Sequence, residues 1–368
     1  MNNIAHTLKK TDTFLITICF ILSVISVFLI YLIYNSFAIS QRLIIVQIIS
    51  SCLGLLIALI ISSIDYHLIV KFWKFYVPVC IFLVILTFFI GSQRGNADDK
   101  AWITLPFGMS FQPAEFLKIA FILSFSSHLN HVVDKINQFK NIIFLTIHGV
   151  IPVLLTHLQG DDGTALMFVV IFLTMFFSAG ISWKYIFFAT FALLFTSPFV
   201  WYIMNQDQKR RILITLHPET DPSGIGYQQF NGLISIGTGG FFGKWFSKKA
   251  YRFVPEIQND FIFSFIGQAF GYIGCFIIII LLMCLAFKIL FTSLKSEDYL
   301  GRFICIGVFG MIFSQIIFNI GMNLSVLPVI GITLPLLSAG GSSIITIYAG
   351  IGLALSVFTF NNKSLFYS

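Results

Sequence analysis

A carboxylate at the border of an oily segment is costly unless something draws on it. Asp260 closes the polar part of FVPEIQNDFIF (253–263), and a long apolar run follows it directly. Such an acid can take the proton of an attacking hydroxyl, and desolvation beside Phe261 and Phe263 would make it a stronger base. The competing use is capping. There the carboxylate accepts backbone N–H bonds at a helix start, suits the positive end of the dipole and becomes a weaker base. Sequence leaves both uses open.

Three other stretches carry charge or irregular backbone. In QPAEFLKIA (112–120), Glu115 and Lys118 are three apart, so they share one face of a helix and can pair. Ionisable groups inside a span usually face a cavity or the bundle interior, and a purely structural ion pair is the plain alternative. QGDDGTA (159–165) sets Asp161 and Asp162 at the start of an apolar run, which capping plus one exposed acid explains. FNIGMNLSVLPVIGITLPLLSAGGSSI (318–344) is interrupted by Pro328, Gly331, Pro335 and Gly340–Gly341, and reads as a broken or re-entrant segment.

The longest connection, 205–260, contains HPETDPSGIGYQQFNGLISIGTGGFFGK and the cations Arg210, Arg211, Lys244, Lys248, Lys249 and Arg252. These could clamp an anionic headgroup, or simply form a positive surface near anionic lipid. The Gly run at 237–243 would let backbone approach a ligand closely. It is not a phosphate loop of the Walker kind, because Thr238 and Trp245 stand where that pattern needs Gly and Ser or Thr.

The elements that must position these residues are membrane spans. The chain is 57% hydrophobic and 10% charged over 368 residues, where a soluble domain carries about a quarter charged residues. Ten apolar runs approach the roughly 20 residues needed to cross hydrocarbon. They lie near 14–34, 43–63, 74–92, 114–130, 141–158, 163–181, 184–204, 261–291, 302–323 and 341–360. The expected fold is therefore an all-α polytopic membrane domain over 1–368, with a large extracytoplasmic loop between the seventh and eighth spans. The eighth run is long enough to tilt or break, with Gly267, Gly271 and Gly274 inside it.

Eleven cations fall on one side (Lys9, Lys10, Lys71, Lys74, Lys135, Lys140, Lys184, Lys288, Lys295, Arg302 and Lys363) against three in the short loops of the other (Arg42, Arg94 and Lys100), the seven of the long 205–260 connection being left out because long loops do not obey the positive-inside rule. This asymmetry puts both termini in the cytoplasm. The irregular connections 93–113, 159–162, 205–260 and 324–340 then gather on the outer face. The net charge of +7 is topological, because no basic stripe interleaved with aromatics offers a nucleic-acid surface. Cys19, Cys52, Cys80, Cys275, Cys284 and Cys305 all sit in apolar stretches without metal-site spacing, which argues against a disulfide framework or a zinc site.

Taken in order, AWITL…FQPAEFLKIA, QGDDGTA, GYQQFNGLISIGTGGFFGK, VPEIQNDFIF and NIGMNLSVLPVIGITLPLLSAGGSS resemble the motifs of the SEDS proteins, the RodA/FtsW peptidoglycan glycosyltransferases. The resemblance covers nearly the whole chain. PETDPSGIGYQ, GK and NIGM look more like the RodA, cell-elongation branch. The resemblance implies polymerisation of lipid II on the outer face of the bacterial cytoplasmic membrane, with Asp260 at the position of the proposed catalytic acid. It implies importance for Trp102 and Lys118, and a class B penicillin-binding protein of the elongation machinery as partner.

This chain departs from the pattern at Gln258-Asn259, where the family usually reads His-Thr. It departs again at Gln268 and Ala269 (usually glutamates), at Ala101 (usually Arg, with Lys100 nearby) and across Gln159-Gly160-Asp161-Asp162-Gly163.

The expected reaction is an inverting glycosyl transfer. Asp260 takes the proton of the acceptor's 4-hydroxyl, the oxygen attacks the donor's anomeric carbon, and undecaprenyl diphosphate leaves from the opposite face. Charge on the leaving group calls for Lys118, Arg210 or Arg252, or a divalent cation such as Mg or Mn. Trp102, Gln112, Glu115, Lys244, Glu256, Ser338 and Ser342 complete the expected substrate-binding set. Two readings of other classes compete. One is a lipid II flippase, although alternating access predicts matching interruptions in two halves. The other is a non-catalytic scaffold for the penicillin-binding partner.

Overall fold

A computed structural model describes residues 11–92, 100–104, 110–215, 217–224, 226–245 and 250–361. Lys9, Lys10, Arg94 and Lys363 lie outside the described residues. The helices are, in chain order, α1 Thr13–Phe37, α2 Arg42–Ser62, a short α3 Tyr66–Lys71, α4 Trp73–Ile90, α5 Pro113–Val132, α6 Phe139–Leu158, α7 Asp162–Ser178, α8 Trp183–Ile203, α9 Gln206–Thr215, α10 Tyr227–Gly239, α11 Ile262–Leu294, α12 Tyr299–Asn323 and α13 Gly341–Phe360. A two-stranded antiparallel hairpin, β1 Ile103–Thr104 and β2 Ser110–Phe111, precedes α5.

Eight of these helices are long and apolar enough to cross a membrane. The other two expected runs also form helices, α7 of 17 residues and α8 of 21. The protein is an integral membrane protein. Helix starts are marked by acids. Asp12 accepts from Leu15 N at 3.2 Å, Asp161 from Thr164 N at 2.9 Å and Asp298 from Gly301 N at 3.0 Å.

Without a hydrophobic drive between helices in lipid, small residues allow close approach. Along the α2–α13 seam, Gly341 faces Ser50, Gly54 lies under the Tyr348 ring and Gly352 abuts Ala58. Tyr348 then reaches α1, sharing a 2.6 Å hydrogen bond with Ser23. With α12 and α13 at its centre, the bundle keeps the broken segment 324–340 between two of its most buried helices.

The eighth run breaks at Gly271, whose φ of +68° interrupts α11. The break frees backbone groups, and the Gly run expected to meet a ligand satisfies them instead. Tyr272 N donates to Gly240 O at 2.9 Å, Ile273 N to Phe241 O at 3.3 Å, and Lys244 N to Gln268 O at 2.9 Å. Gly240 and Gly243 take φ of +59° and +79° to do so, and a side chain at Gly239 or Gly243 would overlap the carbonyls of Gly267 or Ala269. The glycines are there so that backbone can lie on backbone. The 205–260 connection is thus no structureless loop: α9 and α10 occupy much of it, and α10 packs on the first turns of α11 through Gly232, Ile236 and Gly239.

Two glycine substitutions separate this account from general helix propensity. Gly243→Ala imposes strain of roughly 1–3 kcal/mol at a positive φ and is expected to lower the melting temperature in detergent by several degrees. Gly237→Ala, at a position with open space around it, is expected to leave it unchanged or raise it, worth about 0.5–1 kcal/mol in a helix.

Candidate active site

Asp260 lies in a turn-rich segment that four hydrogen bonds pin from the outside. Ala339 N donates to Gln258 O at 2.8 Å and Ser338 Oγ to Asn259 O at 2.6 Å. Asn319 Nδ2 and Asn323 Nδ2 both donate to Asp260 O, at 2.9 and 2.8 Å. Within the segment, Asn259 Nδ2 holds Glu256 Oε2 at 2.6 Å, and Glu256 adopts a left-handed φ of +57°. Helix α11 begins at Ile262 with Phe261 in the cap position and no side-chain cap bond there. Asp260 itself is half-buried. Among the described residues, its Oδ2 is the one atom within 4 Å of the position a side chain at Gly331 would take, 3.7 Å away.

The far side of the same broken segment carries a second polar cluster. Ile330 O lies against Gly163 at the start of α7, and Thr333 Oγ1 is 3.1 Å from Ser343 Oγ. Here Gln112 Nε2 donates to Asp161 Oδ2 at 2.6 Å, while Gln112 N donates to Ser342 Oγ at 3.3 Å. Glu115 and Lys118 do pair as their spacing predicts, Nζ to Oε1 at 2.8 Å, with side chains 8% and 2% exposed. The other oxygen of Glu115, Oε2, has no hydrogen-bond partner among the described residues. Burial pushes the Asp161 carboxyl above its ordinary range and Glu115 adds to this, while the bonds from Thr164 and the Lys118 charge pull the other way. Its neighbour Asp162 is exposed and pairs with His157 at 2.6 Å.

The expected substrate-binding residues therefore divide. Gln112, Glu115, Lys118 and Ser342 come together around Asp161, and Glu256 and Ser338 join Asp260 through Asn259. Arg252 donates to Asn231 on α10, Lys244 bonds Gln268 through its main chain, and Arg210 stands exposed on α9. Trp102 is half-buried at the hairpin, its carbonyl accepting from Ser92 N at 2.7 Å. Lys248 and Lys249 lie outside the described residues. Gln268, one of the departures noted above, bonds the Arg252 backbone both ways, accepting from its N at 2.6 Å and donating to its O at 3.3 Å. A glutamate there could accept but not donate.

Among the described residues, no group of three or more His, Cys, Asp or Glu side chains is placed to hold a metal ion.

Sequence reading passed over Asn319 and Asn323, although both sit in the quoted NIGMN stretch. The usable signal was two amides four residues apart in an apolar helix, where a polar side chain is expensive unless bonded.

Fold and site together define a helical integral membrane protein that holds a carboxylate beside a broken, non-helical segment. The chain belongs to the FtsW/RodA/SpoVE family of cell cycle proteins, whose profile matches residues 9–363. It is 31% identical over 311 residues to the peptidoglycan glycosyltransferase MrdB of Escherichia coli, covering 83% of each chain. It is 30% identical over 328 residues to the stage V sporulation protein E of Bacillus subtilis, covering 88% of this chain and 87% of that one. Among solved structures it is similar to a chain of a peptidoglycan synthase complex that coordinates polymerization and crosslinking, with TM-score 0.82, 25% identity and coverage of 96% and 99%. The fold also matches the rod shape determining protein RodA of Thermus thermophilus, with TM-score 0.71, 22% identity and coverage of 96% and 98%.

The buried pair and the acid beside it can be tested by stability. Lys118→Met leaves Glu115 buried and uncompensated, a loss of about 3–5 kcal/mol, and Glu115→Gln in the same chain is expected to restore most of the melting temperature. Asp161 supplies a pH signature. A carboxyl with a folded pKa above its unfolded value favours folding below the unfolded value, and that contribution is lost as pH rises through the folded one. Melting temperature of the parent relative to Asp161→Asn should therefore rise as pH is lowered from neutral into the acid range.

Proposed function

We propose that this protein is a peptidoglycan glycosyltransferase that polymerises lipid II during cell elongation, with Asp260 as general base. The observation that carries the assignment of the base is the setting of Asp260. Its main chain is fixed by Asn319 and Asn323, the cap position of α11 goes to Phe261, and its half-exposed carboxylate faces Gly331, where no other described atom comes within 4 Å of a side-chain position. A base must be held still and yet be reachable by the proton it removes. Family membership and the likeness to MrdB support the activity and the substrate.

In the proposed reaction the acceptor's 4-hydroxyl sits beside Gly331 and gives its proton to Asp260 as its oxygen attacks the donor's anomeric carbon. Undecaprenyl diphosphate departs from the opposite face with its electron pair, and the configuration inverts. Among the described residues, Arg210 and Arg252 are exposed cations of the 205–260 connection, as is Arg211, and the first two are proposed to meet the diphosphate. Lys118 is sequestered by Glu115 in this structure and acts as the counter-charge of the second cluster.

The cation asymmetry supports cytoplasmic termini and an active site on the outer face. The likeness to a synthase complex that joins polymerization to crosslinking supports a class B penicillin-binding protein as partner.

Gel separation of lipid II products made in liposomes by the parent and by Asp260→Asn tests the proposal. The variant is expected to retain substrate binding and to lose polymerisation by roughly a hundred- to ten-thousandfold. Polymer at the parental rate would remove Asp260 as the base, and headgroup translocation with no polymer from the parent would favour a transporter.

A further inference from the structure

We infer that Asn319 and Asn323 are positioning residues for the transfer reaction, holding Asp260 out of the helix that it would otherwise cap. The inference rests on Asp260 being the base and concerns what fixes its backbone outside the helix.

The bonding around the start of α11 carries this. In a regular helix Ser264 N would donate to Asp260 O, four residues back. Here both ends of that missing bond go to one side chain on another helix. Asn323 Oδ1 accepts from Ser264 N at 3.0 Å and from Ser264 Oγ at 2.7 Å, and Asn323 Nδ2 donates to Asp260 O at 2.8 Å. The amide is inserted between the two halves of a helical hydrogen bond. The first regular bond of the helix falls one residue later, from Phe265 N to Phe261 O at 3.3 Å.

Asn319, one turn earlier on α12, fills the second lone pair of Asp260 O at 2.9 Å and gives its other N–H to Ile332 O at 2.7 Å. The remaining N–H of Asn323 goes to Asn319 O at 2.8 Å. All four amide hydrogens and both lone pairs of the Asp260 carbonyl are thereby used. Both asparagines are fully buried, so each of these groups would cost free energy if left unbonded.

Two consequences follow for the carboxylate. Asn323 blocks the one-residue extension of α11 that would make Asp260 its cap, a position where backbone N–H groups bond the carboxylate and lower its basicity. Asn319 ties the Asp260 backbone to Ile332, and so fixes the distance from the carboxylate to its neighbour Gly331. Glu256, on the same segment, accepts from Asn259 Nδ2 at 2.6 Å.

The experiment compares Asn319→Leu and Asn323→Leu, of similar size but without the amide, in full-length protein with lipid II. Initial rates are taken per folded protein, counted by monodisperse elution, across a pH series. Each variant is expected to lose at least tenfold in kcat with KM within about twofold. In Asn323→Leu the acid limb of kcat/KM should move to lower pH, because a capped carboxylate is a weaker base. A merely structural role would lower the yield of folded protein and leave the kcat and pH profile of that fraction unchanged, and this result would overturn the inference. Asn319→Ser and Asn323→Ser, read the same way, take over if the leucine variants do not fold. Asp260→Asn in the same assay keeps the two ideas apart. If it is active, the base assignment fails. If it is inactive while the asparagine variants match the parent, only the positioning role fails.

Discussion

Backbone polar groups that leave a helix inside an oily bundle must find partners, and nearly everything distinctive in this protein answers that demand. The non-helical stretch 324–340 and the turn-rich stretch before α11 lie against each other. They are held by Asn319, Asn323, Ser338 and the main chain of Ala339. Unsatisfied amides and carbonyls cost several kcal/mol in hydrocarbon, so these side chains cannot be exchanged for apolar ones without loosening both stretches. A half-exposed acid in a fixed place is the product.

The same demand explains the glycines. At Gly271 the freed amides of Tyr272 and Ile273 are met by the carbonyls of Gly240 and Phe241. Backbone can reach that close only where side chains are missing, as at Gly239 and Gly243. Along α2 and α13 glycine serves packing alone, letting Tyr348 sit over Gly54 and reach Ser23. Glycine spacing therefore has two meanings in one chain, separated by whether the neighbour is a side chain or a main chain.

Much of the fold was legible because hydropathy is a one-dimensional signal. All ten apolar runs became helices, and the break expected within 261–291 is there. The pairing of Glu115 with Lys118 was legible for the same reason, since three residues on a helix fix a neighbour. What sequence missed is what depends on contacts between distant segments. The helices of the 205–260 connection are marked by turn formers and small polar residues rather than an apolar stripe, so they read as a loop. The Gly run looked like a ligand cradle, because nothing local reveals that its partner is a broken helix some 30 residues on. Whether Asp260 caps or reacts could not be read from its neighbours, because Asn319 and Asn323 lie 59 and 63 residues further along.

The interruption at Gly271 also has a mechanical side. A straight helix of 33 residues would be a rod about 50 Å long, well beyond the roughly 30 Å of hydrocarbon. Any sideways push on its lipid-facing half would swing the end next to Asp260 like an oar in its lock. Divided near its first third, with the short arm clamped by α10, the rod has a pivot that absorbs such thrust. Membrane thickness and lateral pressure can then vary at the long arm, where Tyr272, Phe276 and Ile280 are exposed, without levering the acid out of register.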